Sequence, residues 1–175
     1  GTAVALATQY GTAYYAAYEM APLFEGQTVL IQAAAGGVGT ALVQMAKLKG
    51  CTVFGTAGSP QKLDYLRNLG VDHPINYREE DFYEVIKNKL GDERLDVVFD
   101  SIGGISVKKG FKLLGAGGRM VCYGAAVRSG RASKLKDLRM AIGFGLYSPI
   151  SLLTNSKGII GVNMLRLADY RPLTL

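Results

Sequence analysis

The sequence predicts an α/β domain: a doubly wound, six-stranded parallel sheet with strand order 3-2-1-4-5-6. Three observations carry this. Short β-type runs alternate with helical patterns along the whole chain. Several runs, Thr28 to Ile31 and Val97-Val98-Phe99 among them, are apolar on both sides, as strands buried on both faces of a parallel sheet are. A turn of small residues, Ala33 to Gly39, joins the first strand to a helix.

The elements follow in order. Val4 to Met20 is rich in Ala and Tyr all round and reads as a buried helix, ended by Pro22 and Gly26. Thr28 to Gln32 is the first strand. Gly37 to Lys49 is a helix with Val38, Leu42, Val43, Met45 and Ala46 on its apolar side, stopped by Gly50. Cys51 to Thr56 is the second strand. Ser59 and Pro60 stand as N-cap and first residue of a helix that runs to Leu69, and Gly70 ends it. Val71 to Asn76 is the third strand. Glu79 to Leu90 is a helix with acids in its first turn and lysines in its last, as the helix dipole favours. Leu95 to Asp100 is a strand, Ser106 to Leu114 a helix and Arg119 to Tyr123 a strand. After Gly124, Leu135 to Ile142 and Ser148 to Thr154 read as helices and Ile159 to Met164 as the sixth strand. No linker or low-complexity run divides the chain.

Composition excludes several classes. With 175 residues, 49% apolar and 19% charged, the chain is sized for one folded domain and is not disordered. Two Cys and one His give no disulfide framework and no zinc site from Cys and His alone. Unpaired cysteines fit a reducing, cytoplasmic compartment. Cys51 and Cys122 fall at strand positions and read as small buried hydrophobes, and His73, before Pro74, as a surface loop residue. The stretch Ala3 to Ala21 holds Thr, Gln, Gly and Glu and lacks preceding basic residues, so it is neither a membrane span nor a signal peptide. The net charge is +6, with 20 basic and 14 acidic residues interspersed. No nucleic-acid recognition motif accompanies that charge, so a nucleic-acid partner is not expected.

The turn between the first strand and its helix carries the chemistry. Read as G-x-G-x-x-G it is Ala34-x-Gly36-x-x-Gly39. Small residues there let a pyrophosphate approach the backbone near Gly36 and Gly37, while Gly39 lets helix and strand pack closely. The helix N-terminus offers free N–H groups to the phosphates. An NAD site places Asp or Glu about 20 residues further on, against the ribose hydroxyls. Here that run, Cys51 to Lys62, contains no acid. Gly58, Ser59 and Lys62 instead offer space, a hydroxyl and a cation, which suits a 2′-phosphate and so NADPH. Ser59 as a plain N-cap and Lys62 as a solvated helix residue is the other reading.

Ala33 to Gly39, the run Gly55 to Ser59 with Lys62, the run Asn76 to Phe82, and Val98-Phe-Asp-Ser-Ile-Gly-Gly104 together resemble the medium-chain dehydrogenase/reductase superfamily, in its zinc-independent quinone oxidoreductase branch. Tyr10-Gly-Thr-Ala-Tyr14 matches the helix that precedes the cofactor domain in that branch. The tail, Ser148 to Asn163, is similar to the subgroup of the synaptic vesicle VAT-1 proteins. The resemblance implies a Rossmann-type cofactor domain. Gly36, Gly37 and Val38 would meet the pyrophosphate, and Ser59, Lys62 and Tyr77 the adenosine 2′-phosphate. Ser101, Tyr123 and Gly124 would lie along the cofactor, with Thr12 and Asn163 near the nicotinamide. Zinc-dependent members carry Cys four residues before the position of Thr12, where this chain has Thr8, so no metal is expected.

The implied activity is NADPH-dependent reduction of quinones or α,β-unsaturated carbonyls. The resemblance also implies a homodimer paired through the sixth strand. It further implies a substrate-side domain before Gly1 and a return segment after Leu175. Residues 1–175 are then the dinucleotide-binding domain, expected to hold NADPH without turnover. No residue stands out as the proton donor. Tyr10, Tyr14 and Tyr15 qualify by type alone, and the donor is expected in the preceding domain. The rival reading is an NADP-binding interaction protein, supported by the basic residues Arg128, Arg131, Lys134, Lys136 and Arg139, although these read first as a solvated helix face. A short-chain dehydrogenase is disfavoured, since no Tyr-x-x-x-Lys follows the fourth strand.

Overall fold

The computed structural model describes residues 2–124 and 144–170. The helix expected over Leu135 to Ile142, the basic residues between Arg128 and Arg139, and Ala125 lie outside the described residues.

Helix α1 spans Thr2–Tyr14 and continues as a wider helical turn over Tyr15–Met20. There the Ala21 and Leu23 amides reach back to the Ala16 and Ala17 carbonyls, each at 3.0 Å. Strand β1 is Thr28–Ile31, α2 Gly37–Leu48, β2 Thr52–Ala57, α3 Pro60–Asn68 and β3 His73–Asn76. Then follow α4 (Phe82–Leu90), β4 (Leu95–Asp100), α5 (Ile105–Leu113) and β5 (Leu114–Tyr123). Beyond the undescribed stretch come α6 (Pro149–Asn155), β6 (Gly158–Val162) and α7 (Met164–Tyr170). The six strands form one sheet in the order β3-β2-β1-β4-β5-β6, every pair parallel. The expected doubly wound order is what the chain adopts.

Alternation along each strand divides the core between two faces. Val29, Ile31, Val53, Val97, Phe99 and Val121 pack with α1, α2 and α3. Leu30, Phe54, Val98 and Met120 pack with α4 and α5. The apolar runs therefore mark strands covered on both sides.

Four local readings are corrected. Helix α4 begins at Phe82, not Glu79, because the Glu79 and Glu80 amides turn back onto the Asn76 carbonyl and Asp81 caps the helix by accepting from Tyr83 N at 3.0 Å. Strand β5 begins at Leu114, its glycine-rich first half pairing with β4 across a register shift between Leu95 and Val97. The chain after Val162 turns into α7, because Asn163 Oδ1 accepts from Arg166 N at 3.4 Å and caps it. His73 lies on the edge strand β3, half-buried, with its ring 4.5 Å from that of Phe54. Burial holds its pKa below the ordinary value. Pro74 is tolerated there because an edge strand needs no second set of ladder bonds.

Asp72 ties three elements together, accepting from Val53 N at 2.7 Å and from Lys47 Nζ at 2.8 Å. Burial pushes its carboxyl up, but the Lys47 hydrogen bond and the Val53 amide outweigh it, so the pKa lies below the usual carboxylate value. A lowered folded-state pKa gives stability that is present above the unfolded value and is lost as pH falls through the folded one. Asp72→Asn should therefore be less stable than the parent at neutral pH. The gap should close as acid titrates the carboxyl, which urea unfolding at a series of pH values measures. A pH-independent gap would assign the effect to geometry alone.

Candidate functional site: the glycine loop and the cleft beside it

The carboxyl edge of the sheet is organised around the β1–α2 loop. Gly36 caps α2, and among the described residues no side chain bonds at the cap, so the first-turn amides of the helix are open to an acceptor. A Cβ on Gly39 would lie 2.7 Å from Ala34 Cα, which is the close helix–strand approach that only Gly allows. A Cβ on Gly37 would run into the Gln9 side chain of α1. The loop is held from β2. Thr56 Oγ1 accepts from Ala33 N at 3.1 Å and donates to Gln32 Oε1 at 2.7 Å, and the Thr56 carbonyl accepts from Ala34 N at 2.9 Å. Thr56 stands 20 residues after Gly36, but it is 1% exposed and serves the loop rather than a ligand.

Next to β2 a second corner forms. The exposed Tyr77 ring lies against Gly58, where a Cβ would stand 2.5 Å from the Tyr77 hydroxyl. Ser59 caps α3, accepting from Lys62 N at 3.4 Å, so the N-cap reading of Ser59 holds. That does not occupy the other lone pair of the hydroxyl. Lys62 is exposed, and among the described residues no carboxylate pairs with its ammonium. Gly58, Ser59, Lys62 and Tyr77 thus share one corner.

Between the β1, β3 and β4 ends lies a cleft of about 650 Å³, lined by Gln32, Tyr77, Phe82, Ile102, Ile105 and Lys109 among others. That volume is in the range of small-molecule sites. Gln32 is 3% exposed, and among the described residues its Nε2 has no hydrogen-bond partner. Lys109 pairs with Asp81 at the rim and holds that carboxyl below its usual pKa. Asp100, 1% exposed, builds the β4 turn: Oδ1 accepts from Ile102 N and Gly103 N at 2.8 and 2.7 Å, and Oδ2 from Ser106 Oγ at 2.5 Å.

The remaining expected residues are spread along the same edge. Ser101 and Gly124 are neighbours, a Cβ on Gly124 lying 3.9 Å from Ser101 Cβ. The Tyr123 ring is in the core and its hydroxyl is buried beside Ser101 without hydrogen-bond geometry. Burial raises its pKa, so the phenol stays protonated. Val38 is half-buried in the first turn of α2. Thr12 is buried on α1 and donates to the Thr8 carbonyl at 2.7 Å. Asn163 is exposed and caps α7. Sequence reasoning did not single out Gln9, Gln32 or Asp100 as site residues, and saw Thr56 only as the place of a missing acid. The available signal for Gln32 was a polar residue ending an apolar strand.

The model of the zinc-binding dehydrogenase family matches residues 37–174. The chain belongs to that family. It is a VAT-1-like member of the medium-chain dehydrogenase/reductase superfamily. It is 35% identical over 165 residues to the synaptic vesicle membrane protein VAT-1 of Tetronarce californica, a match covering 93% of this chain and 43% of that protein. It is 39% identical over 122 residues to phthioceranic/hydroxyphthioceranic acid synthase of Mycobacterium tuberculosis, covering 70% of this chain but 6% of that protein. The chain thus spans less than half the length of these relatives.

Among solved structures, it superposes on the nucleotide-binding subdomain of the enoylreductase domain of PpsC from Mycobacterium tuberculosis with a TM-score of 0.79 and 28% identity, covering 97% of this chain and 87% of that one. It superposes on the quinone oxidoreductase of Thermus thermophilus, solved also with NADPH, with a TM-score of 0.73 and 31% identity, covering 98% of this chain and 50% of that one. The family's description names zinc, yet among the described residues no three His, Cys, Asp or Glu side chains are grouped to hold a metal.

Proposed function

We propose that this chain is the cofactor-binding domain of an NADPH-dependent, zinc-independent oxidoreductase that reduces quinones or α,β-unsaturated carbonyls. The observation that carries the reading is the uncapped α2 N-terminus behind a loop of residues too small to block a pyrophosphate. The likeness to an enoylreductase subdomain and to a quinone oxidoreductase supports the reductase class, and the chain's own residues support the cofactor.

Gly36, Gly37 and Val38 would present backbone amides to the pyrophosphate. Tyr77, Ile102 and Ile105 give the cleft an apolar wall suited to a flat purine. Lys62 and Ser59 would meet the 2′-phosphate as cation and hydroxyl. Ser101, the backbone at Tyr123 and Gly124, Thr12 and Asn163 would border the nicotinamide half. NADPH supplies the hydride, and the protein's part is to orient it and exclude water. The Tyr123 ring belongs to the core. The missing wall of a substrate pocket would come from a further domain of the whole protein, as the greater length of the relatives suggests.

The strand β6 edge supports pairing of two copies into a continuous sheet. No helix among the described residues is long and apolar enough to cross a membrane. The two free cysteines fit a reducing compartment such as the cytoplasm.

The test is cofactor choice. The chain should bind NADPH about tenfold tighter than NADH, a difference of about 1.4 kcal/mol. Lys62→Ala should weaken NADPH by about tenfold and leave NADH almost unchanged, since only NADPH carries the 2′-phosphate. Equal curves for the two cofactors in the unmutated chain would refute the choice of NADPH.

A further inference from the structure

Helix α1 packs along α2, and the contact is polar where it reaches the glycine loop. The Tyr10 hydroxyl donates to Gln44 Oε1 at 2.6 Å, tying α1 to the second half of α2. On the adjacent residue, the Gln9 carboxamide lies directly over Gly37. A Cβ built on Gly37 would stand 2.5 Å from Gln9 Oε1 and closer still to its Cδ and Nε2. Gln9 is half-buried, and among the described residues its carboxamide makes no hydrogen bond. An amide held against the phosphate loop with both N–H groups free is a donor without an acceptor. A phosphate offers acceptors alone.

Resting on the dinucleotide reading above, we propose that Gln9 is a phosphate-contacting residue of the cofactor site. It donates Nε2–H to the pyrophosphate from the side opposite the α2 N-terminus. Two features support the geometry. Tyr10, anchored on Gln44, fixes the height of α1 so that the neighbouring side chain meets Gly37. Thr12, three residues further on, follows Gln9 on the same helical face, toward the nicotinamide half. A neutral donor also suits this position, since a cation would be repelled by the partial positive charge of the helix terminus when the site is empty.

The experiment uses the 175-residue chain with Gln9→Ala and Gln9→Glu, titrated with NADPH and separately with 2′-AMP, which carries the adenosine 2′-phosphate but no pyrophosphate. Loss of one donor in Gln9→Ala should weaken NADPH about three- to fivefold. The carboxylate of Gln9→Glu should weaken it about tenfold or more. Both variants should bind 2′-AMP as the parent does and keep its thermal midpoint.

If both bind NADPH like the parent, or Gln9→Ala binds it more tightly, Gln9 merely fills the seat and the proposal is wrong. Equal losses for both probes would mean a general structural role and would equally overturn it. Failure of the unmutated chain to bind NADPH would remove the dinucleotide reading, and the role of Gln9 with it.

Discussion

Gly37→Val is expected to weaken NADPH binding by about a hundredfold or more, roughly 2.7 kcal/mol, while the chain keeps a cooperative unfolding transition. The reason is local. Gly37 opens α2, whose first-turn amides are where a pyrophosphate would bind, and the space over its Cα is taken by the Gln9 carboxamide. A branched side chain fills that space and pushes on the Gln9 carboxamide, the flexible end of a half-buried side chain, so the protein can give way while the ligand cannot. Val in a helix costs under about 1 kcal/mol relative to the best helix formers, too little to unfold a domain. Titration and thermal melts of the same sample separate the two effects. Parental affinity in the variant would mean that the phosphates sit elsewhere.

Asp100→Ala is expected to cost about 3 kcal/mol of stability, because one fully buried carboxylate accepts three hydrogen bonds and its loss strands the Ile102 and Gly103 amides and the Ser106 hydroxyl. For a domain of this size that is a fall of roughly 6–12 °C in thermal midpoint. The turn it builds carries Ile102 into the cleft, so NADPH affinity should fall as well. Asp100→Asn keeps one acceptor oxygen and should lose about half as much. A midpoint within a degree of the parent for Asp100→Ala would show that water replaces the carboxylate without cost.

The sheet was legible because its signal is redundant. Apolar two-sided runs, helical periods and the loop of small residues agree, and parallel strands joined by crossover helices leave few orders to choose from. Boundaries were harder to read where a side chain competes with helix formation. Glu79 and Glu80 look like a first helical turn, but the Asn76 carbonyl captures their amides and moves the start to Phe82. Asn163 ends a strand pattern and also begins a helix, and only the bond to Arg166 N decides which.

The phosphate loop could be read locally, being one strand–turn–helix. Gln9 and Thr56 could not, because they reach the loop from α1 and β2, and the spacing that points to Thr56 concerns a ribose-binding acid, not a side chain that holds the loop. Asp100 was read as the end of a strand, which it is. That it also organises the turn beneath the cleft depends on three donors brought round to it by the backbone.

On the proposed function, a pyrophosphate-bearing dinucleotide binds at the β1–α2 loop. The most direct test is an amide-resolved NMR titration of the 175-residue chain with NADPH. Saturable shifts are expected, centred on the amides of Gly36, Gly37 and Val38, with a second group at Ser59 and Tyr77, while the glycine-rich start of β5 stays still. A saturated spectrum in which the loop amides have not moved would contradict that placement.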